Sequence, residues 1–211
     1  MRTIACIVEG DSEMAALPIL LRRLGGWRTP DSYPDVRPPI RVRRDRFLNK
    51  DEDFRRHLLL ASAKAGSSGW ILILLDADDD CPAILGKVIA GRVRDLIPHQ
   101  AVAVVLAMRE YEAWFIAAAP SLDGHRGFVL GTELPPEAET RRDAKGWVGK
   151  HMVDKAYSEV IDQPALTDRM DLQMAYDNSR SFRKLCGEWD KHMKGSGAAE
   201  SYGERSPAKN H

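Results

Sequence analysis

With 211 residues, 44% of them hydrophobic and 29% charged, the chain can bury one core with additions and is composed like an ordinary globular protein. Its 31 basic and 31 acidic residues cancel, which removes any global electrostatic drive toward nucleic acid or a membrane surface. Three scattered cysteines (Cys6, Cys81, Cys186), no signal-peptide pattern and no apolar run long enough for a bilayer predict a soluble, cytoplasmic protein with reduced thiols and no membrane contact.

Residues 3–8 form a short apolar run that predicts a central strand. A helix is expected over about 12–24, where Met14, Leu17, Leu21 and Leu24 keep helical spacing, with a kink or a start near Pro18 and an end at Gly25-Gly26. Residues 27–39, rich in Pro, Asp and Arg, predict a loop, and the alternation from Ile40 to Arg44 predicts a strand with one solvated face. Asp51 to Ala65 reads as a helix closed by residues 66–69. The continuously apolar runs 70–75 and 101–107 predict strands covered on both faces, joined by a helix that starts near Pro82 and stops at Pro98. A helix with Tyr111, Trp114, Phe115 and Ala118 on one face follows, then a loop to Glu139 and helices near 145–160, 164–177 and 179–193. Residues 195–211 have almost no apolar content and predict a disordered tail. The alternation argues for an α/β fold, with a mainly parallel sheet flanked by helices over 1–120 and a loop-and-helix extension over 121–194 packed on it.

Three acidic clusters each follow a predicted strand: Glu9 to Glu13, Asp76 to Asp80, and Glu110 with Glu112. In a parallel sheet the strand carboxyl ends share one edge, where ligands bind, so carboxylates far apart in sequence meet there. Grouped carboxylates repel one another unless a cation sits among them, and all-oxygen ligation suits Mg²⁺ or Mn²⁺. Gly10 allows a tight turn beside Glu9, and Asp76 and Asp78, two apart, point to one side if the backbone is extended. Asp11, Ser12, Asp79 and Asp80 read as helix caps or solvated loop residues. Within a helix, Glu110 and Glu112 lie too far apart around the axis for both to face the cluster, leaving the other as a first-turn residue.

Glu9-Gly-x-x-Glu13 followed by Asp76-x-Asp78, on alternating strands and helices, resembles the Toprim domain of primases, topoisomerases and overcoming-lysogenisation-defect nucleases. VEGDSE, LLDADDD, REYEAWFIAA and the late SRSFRKL, covering the chain to about Trp189, resemble more closely an uncharacterised bacterial group, domain-of-unknown-function family 4276. The resemblance implies Glu9 in acid–base work, Asp76 and Asp78 as the metal pair, and Glu112 rather than Glu110 as the third acidic motif. It also implies a metal-dependent nuclease acting on DNA or RNA, as the partner of an ABC-type ATPase in phage defence. Glu9, Asp76, Asp78 and Glu112 are the candidate catalytic residues; the candidate metal ligands are these four with Glu13 and Glu110. No separate tyrosine domain, template-binding module or P-loop is present for topoisomerase, primase or ATPase work, which leaves phosphodiester hydrolysis.

Arginines cluster around the second predicted strand, at 37, 41, 43, 44 and 46, and lysines 145, 150 and 155 are expected on the first late helix. Of these, Arg41, Arg43, Lys150 and Lys155 are the candidate phosphate contacts, against the alternative of a solvated face in a charge-balanced protein. His57, His151 and His192 read as surface residues of helices with no zinc-site spacing. Two other functions compete: a Toprim-like module that binds nucleic acid or an ATPase without chemistry, and a receiver-type phosphoryl-transfer domain, for which the expected late lysine is missing.

Overall fold

Strands with no polar side chain along their length cannot show either face to water, and both such runs belong to a parallel sheet with helices on its two sides. The computed structural model describes residues 1–194, so the tail expected to be disordered lies outside the described residues. In chain order the elements are β1 (Arg2–Val8), α1 (Asp11–Arg28), β2 (Pro34–Val36), β3 (Ile40–Arg41), α2 (Arg44–Asn49), α3 (Asp51–Ala65), β4 (Trp70–Asp76), α4 (Pro82–Leu96) and β5 (Ala101–Ala107). They continue with α5 (Ala113–Ala117), a 3-10 turn (Ala119–Leu122), α6 (Ala144–Lys150), α7 (Glu159–Arg169), α8 (Leu172–Asn178) and α9 (Arg180–Lys194). The sheet order is β2-β1-β4-β5, all parallel, with β3 continuing the β2 edge along the carboxyl half of β1. The α/β architecture with a helical C-terminal end is the one expected. No helix among the described residues is long and apolar enough to cross a membrane.

The strand period of two sorts the core into two layers. Ile4, Cys6, Trp70, Leu72, Ala103 and Val105 face α1 and the C-terminal helices. Ala5, Ile7, Ile71, Ile73 and Leu75 face α2, α3 and α4. Helix α1 packs along α7, and α9 closes over β5. Trp70 anchors this side, meeting Trp189 edge-on at 6.4 Å and stacking on His192 at 4.8 Å.

Several expectations need correction. Helix α1 runs through Pro18 and past Gly25-Gly26 to Arg28. Pro34 and Trp189 pack beside Gly25, and this tertiary contact outweighs the weak helix propensity of glycine. Within the expected loop 27–39, Pro34–Val36 pairs with β1. The second predicted strand is only two residues long. Ile40 and Val42 stay buried and Arg41 and Arg43 exposed, but Arg44 opens a helix that alternation could not reveal. The helix after β5 shrinks to Ala113–Ala117 and the first late helix to Ala144–Lys150; the second splits where Asp171 caps α8 through the Met174 N–H, 2.8 Å. His151 and His192 are buried, the first hydrogen-bonded to the Trp147 carbonyl (2.9 Å) and the second stacked on Trp70.

Candidate active site

In the order β2-β1-β4-β5, the chain leaves β1 in one direction and enters β4 on its other side, so β1 and β4 flank the switch point where open α/β sheets bind ligands. Glu9 follows β1 and Asp76 ends β4, one on each side of that crevice. Glu13 lies in the first turn of α1, and Glu112 precedes α5. Gly10 leaves room at the turn for the Glu13 carboxylate, which would have to shift if a side-chain carbon stood there.

Glu112 is 3% exposed and accepts hydrogen bonds from Tyr157 Oη (2.9 Å) and Gln163 Nε2 (3.3 Å). The same Gln163 nitrogen reaches Glu13 Oε1 at 3.3 Å, so this fully buried amide of α7 ties the α1 carboxylate to the α5 one. Neither Glu9 nor Asp76 receives a hydrogen bond at its carboxyl group from any described residue, and buried Glu9 Oε2 and Gln163 Oε1 have no partner. Orphaned buried oxygens of this kind are uncommon and call for a ligand or a proton.

The electrostatics follow from this enclosure. Burial, then repulsion from Asp78, pushes the Glu9 carboxyl up to about 7 against the pull of Arg44. Burial also raises Glu112 to about 7, opposed by its hydrogen bonds and reinforced by Glu13 and Glu110. Asp76 is held well above the ordinary carboxylate range by burial and by Glu112, Glu13, Glu9 and Asp78. Three carboxyls that resist ionisation at one sheet edge are a site short of positive charge.

Asp78 is not in extended backbone. Its φ of 50° is left-handed, and its N–H bonds the carbonyl of Arg109 (3.0 Å), which is left-handed as well, at 65°. The expected same-side projection of Asp76 and Asp78 therefore does not follow from strand geometry. Asp78 is 59% exposed and pairs with Arg44 at 3.3 Å. Arg44 also donates to the Asp76 carbonyl (3.2 Å) and binds Asp80 (2.6 Å), so one guanidinium straps the turn after β4.

Glu110 faces elsewhere: its Oε2 accepts the N–H of Lys145 (2.8 Å) at the start of α6. Arg109 pairs with Asp79 (2.8 Å) rather than Glu110, and Tyr111 and Trp114 are buried together, 4.7 Å between rings. Arg41 pairs with Asp11 (2.9 Å) and bonds the Glu9 carbonyl, while Arg43 is exposed beside it. Lys150 ends α6, and Lys155 lies beyond the helix, bound to the fully buried Asp162.

Arg44, Tyr157 and Gln163 are the site residues that sequence reading passed over. Arg44 was visible only as one of five arginines. Nothing in a single sequence marks Tyr157 or Gln163, whose roles depend on α7 docking against α1.

Whether the donor set fits a cation has a divided answer. Its hard oxygens, orphaned Glu9 Oε2 and mutually repelling carboxyls suit Mg²⁺ or Mn²⁺. Among the described residues, however, no three acidic, imidazole or thiol groups form a ready-made cage. A family model described as "Domain of unknown function (DUF4276)" matches residues 8–188. No curated protein and no solved structure matches the chain.

Proposed function

The chain belongs to the DUF4276 family, and from that premise we propose that it is a metal-dependent phosphodiesterase of Toprim type, acting on DNA or RNA beside an ABC-type ATPase. The observation carrying this reading is the meeting of Glu9, Asp76 and Glu112, each raised in pKa, with an orphaned Glu9 oxygen at the switch point of a parallel sheet. Glu9, Asp76 and Asp78 would hold Mg²⁺ or Mn²⁺, with Glu13 at its rim. Such an ion supplies a water nucleophile at neutral pH and charge stabilisation for the leaving oxygen. Glu9, whose Oε2 has no partner among the described residues, would take a proton from an attacking water and return it to the leaving group. Gln163 and Tyr157 hold Glu112 and Glu13 in place. The exposed Arg43 stands where a phosphodiester backbone entering past β3 could be met.

A non-catalytic binding module is the second reading, and the strap made by Arg44 favours it, since that guanidinium already neutralises Asp78 and Asp80. Calorimetric titration with Mn²⁺ and Mg²⁺, together with cleavage assays on single- and double-stranded DNA and RNA, separates the two. The nuclease reading expects saturable metal binding and metal-dependent cleavage, both lost in Asp76→Asn while the variant stays folded. Absence of both in the wild-type chain, with the partner ATPase added, leaves the binding module.

A further inference from the structure

The two edges of the sheet are built differently. One is broken into β2 and β3, with Pro34, Pro38 and Pro39 and the charges of Asp35 and Arg37 along it, which is how natural sheets discourage added strands. The other is β5, seven residues of Ala, Val and Leu with neither charge nor proline. Ala107 bonds β4 through the Ala77 N–H (2.9 Å), so the odd-numbered residues of β5 face β4. The N–H and C=O groups of Val102, Val104 and Leu106 therefore point to the open side, where no described strand pairs with them. An unprotected edge this long is an aggregation hazard unless something covers it.

Beside that edge runs a groove of about 980 Å³. One wall is α4, presenting Ala83, Gly86, Ala90 and Val93 together with Lys87 and Arg94; the other is α9, presenting Arg180, Lys184, Glu188 and Lys191. The small side chains on α4 leave room for apolar residues, and both walls carry basic side chains. Lys87 and Arg94 of α4 and Arg180 of α9 have no ion pair or hydrogen bond among the described residues, whereas Lys184 and Lys191 pair with Glu188, and Glu139 accepts from Ser181; Glu137 is the third lining carboxylate. We propose that β5 accepts an extended segment of a partner protein as an added strand, its apolar side chains packing in the groove and its carboxylates meeting Lys87, Arg94 and Arg180. Main-chain hydrogen bonds would supply affinity and the unpaired cations the preference for acidic side chains. A second copy of this chain fits poorly, because two β5 edges related by a two-fold axis would bring the unpaired cations of both grooves together. This inference uses neither the acidic site nor any activity there.

The probe is a fluorescent, end-capped peptide of about ten residues alternating Val and Glu, long enough to cover one strand, with its Val–Lys counterpart as control. The full chain is expected to bind the acidic peptide saturably and to gain hydrogen-exchange protection at the Val102, Val104 and Leu106 amides. The Val–Lys peptide should do neither. Arg94→Glu with Arg180→Glu should weaken binding by roughly tenfold or more, in a salt-dependent way. Val104→Pro removes an outward N–H and no bond to β4, and should abolish the protection; the charge-reversed variant serves if the proline variant is unfolded. Equal binding of both peptides, or no protection with the acidic one, overturns the proposal. So does sedimentation as a dimer with these amides already protected, which would make the occupant a second copy.

Discussion

Glu112 and Glu110 sit two residues apart and meet opposite environments. Glu112 is enclosed with Gln163, Tyr157 and the charge of Glu13, while Glu110 accepts a backbone N–H at the start of α6. Glu112→Gln keeps the shape and removes a charge that its surroundings resist. It should leave stability near pH 8 unchanged or higher while strongly reducing metal binding and cleavage. Glu110→Gln loses a charge-assisted cap, worth about 0.5–1 kcal/mol by unfolding, with a milder effect on activity. The reverse ranking in metal titrations would put the wrong glutamate in the site. Arg44 belongs to the same scale, since its side chain is only 13% exposed and straps Asp78, Asp80 and the Asp76 carbonyl. Arg44→Ala should destabilise the metal-free protein by about 1–3 kcal/mol. Saturating Mn²⁺ should recover much of that loss if a cation can take the place of the guanidinium; no recovery would make Arg44 a structural strap alone.

At the scale of elements, α7 and α9 do more than cover the sheet. α7 brings Gln163 between the carboxylates of α1 and α5, and α9 brings Trp189 against Trp70. The indole N–H of Trp189 donates to Thr29 Oγ1 (3.2 Å) just past α1, so one side chain ties the C-terminal helix to the first strand-helix unit. Trp189→Ala should cost about 3–5 kcal/mol in urea unfolding. A small loss would mean that α9 is a detachable cover rather than part of the core. Helix α1 passes Gly25-Gly26 because tertiary packing compensates, whereas the expected helix 145–160 stops at Lys150. After that point, Val129 N–H bonds the His151 carbonyl (2.8 Å) and Val153 N–H the Gly127 carbonyl (2.9 Å), drawing the chain away from helical pairing.

For the whole molecule, the acidic edge couples stability to pH. In the metal-free fold Glu9 and Glu112 keep protons up to about pH 7, whereas their ordinary value is 4.5. The folded state thus binds more protons across this window, so stability falls as pH rises through it and is not regained above it. Glu112, the more enclosed, contributes on the order of 1–3 kcal/mol. Glu188, lowered to about 2 chiefly by His192, whose Nε2 lies 3.5 Å from its carboxylate, acts in the opposite sense but only below this window. Urea unfolding with chelator should give a less stable protein at pH 8 than at pH 5.5, and Glu112→Gln should flatten the difference. A wild-type profile rising over this range would contradict the buried acidic edge. Mn²⁺ in hundredfold excess over its Kd should add about 2.7 kcal/mol at pH 8.

The α/β class, both buried strands and the arrival of Glu9, Asp76 and Glu112 at one sheet edge were legible in the sequence, because apolar runs and strand-end positions are local features that backbone hydrogen bonding translates directly into a sheet. The selection of Glu112 over Glu110 came from the motif it resembles, and the fold puts Glu112 in the enclosed position. What surrounds those carboxylates was decided by tertiary structure. Arg44 starts a helix instead of ending a strand, and Asp78 turns left-handed against Arg109. Gln163 and Tyr157 reach the site from a segment 150 residues beyond Glu13 in the case of the amide. Contacts at that separation leave no periodicity to read, and burial, which raises the carboxyl pKa values, exists only once the helices of both layers have closed over the sheet.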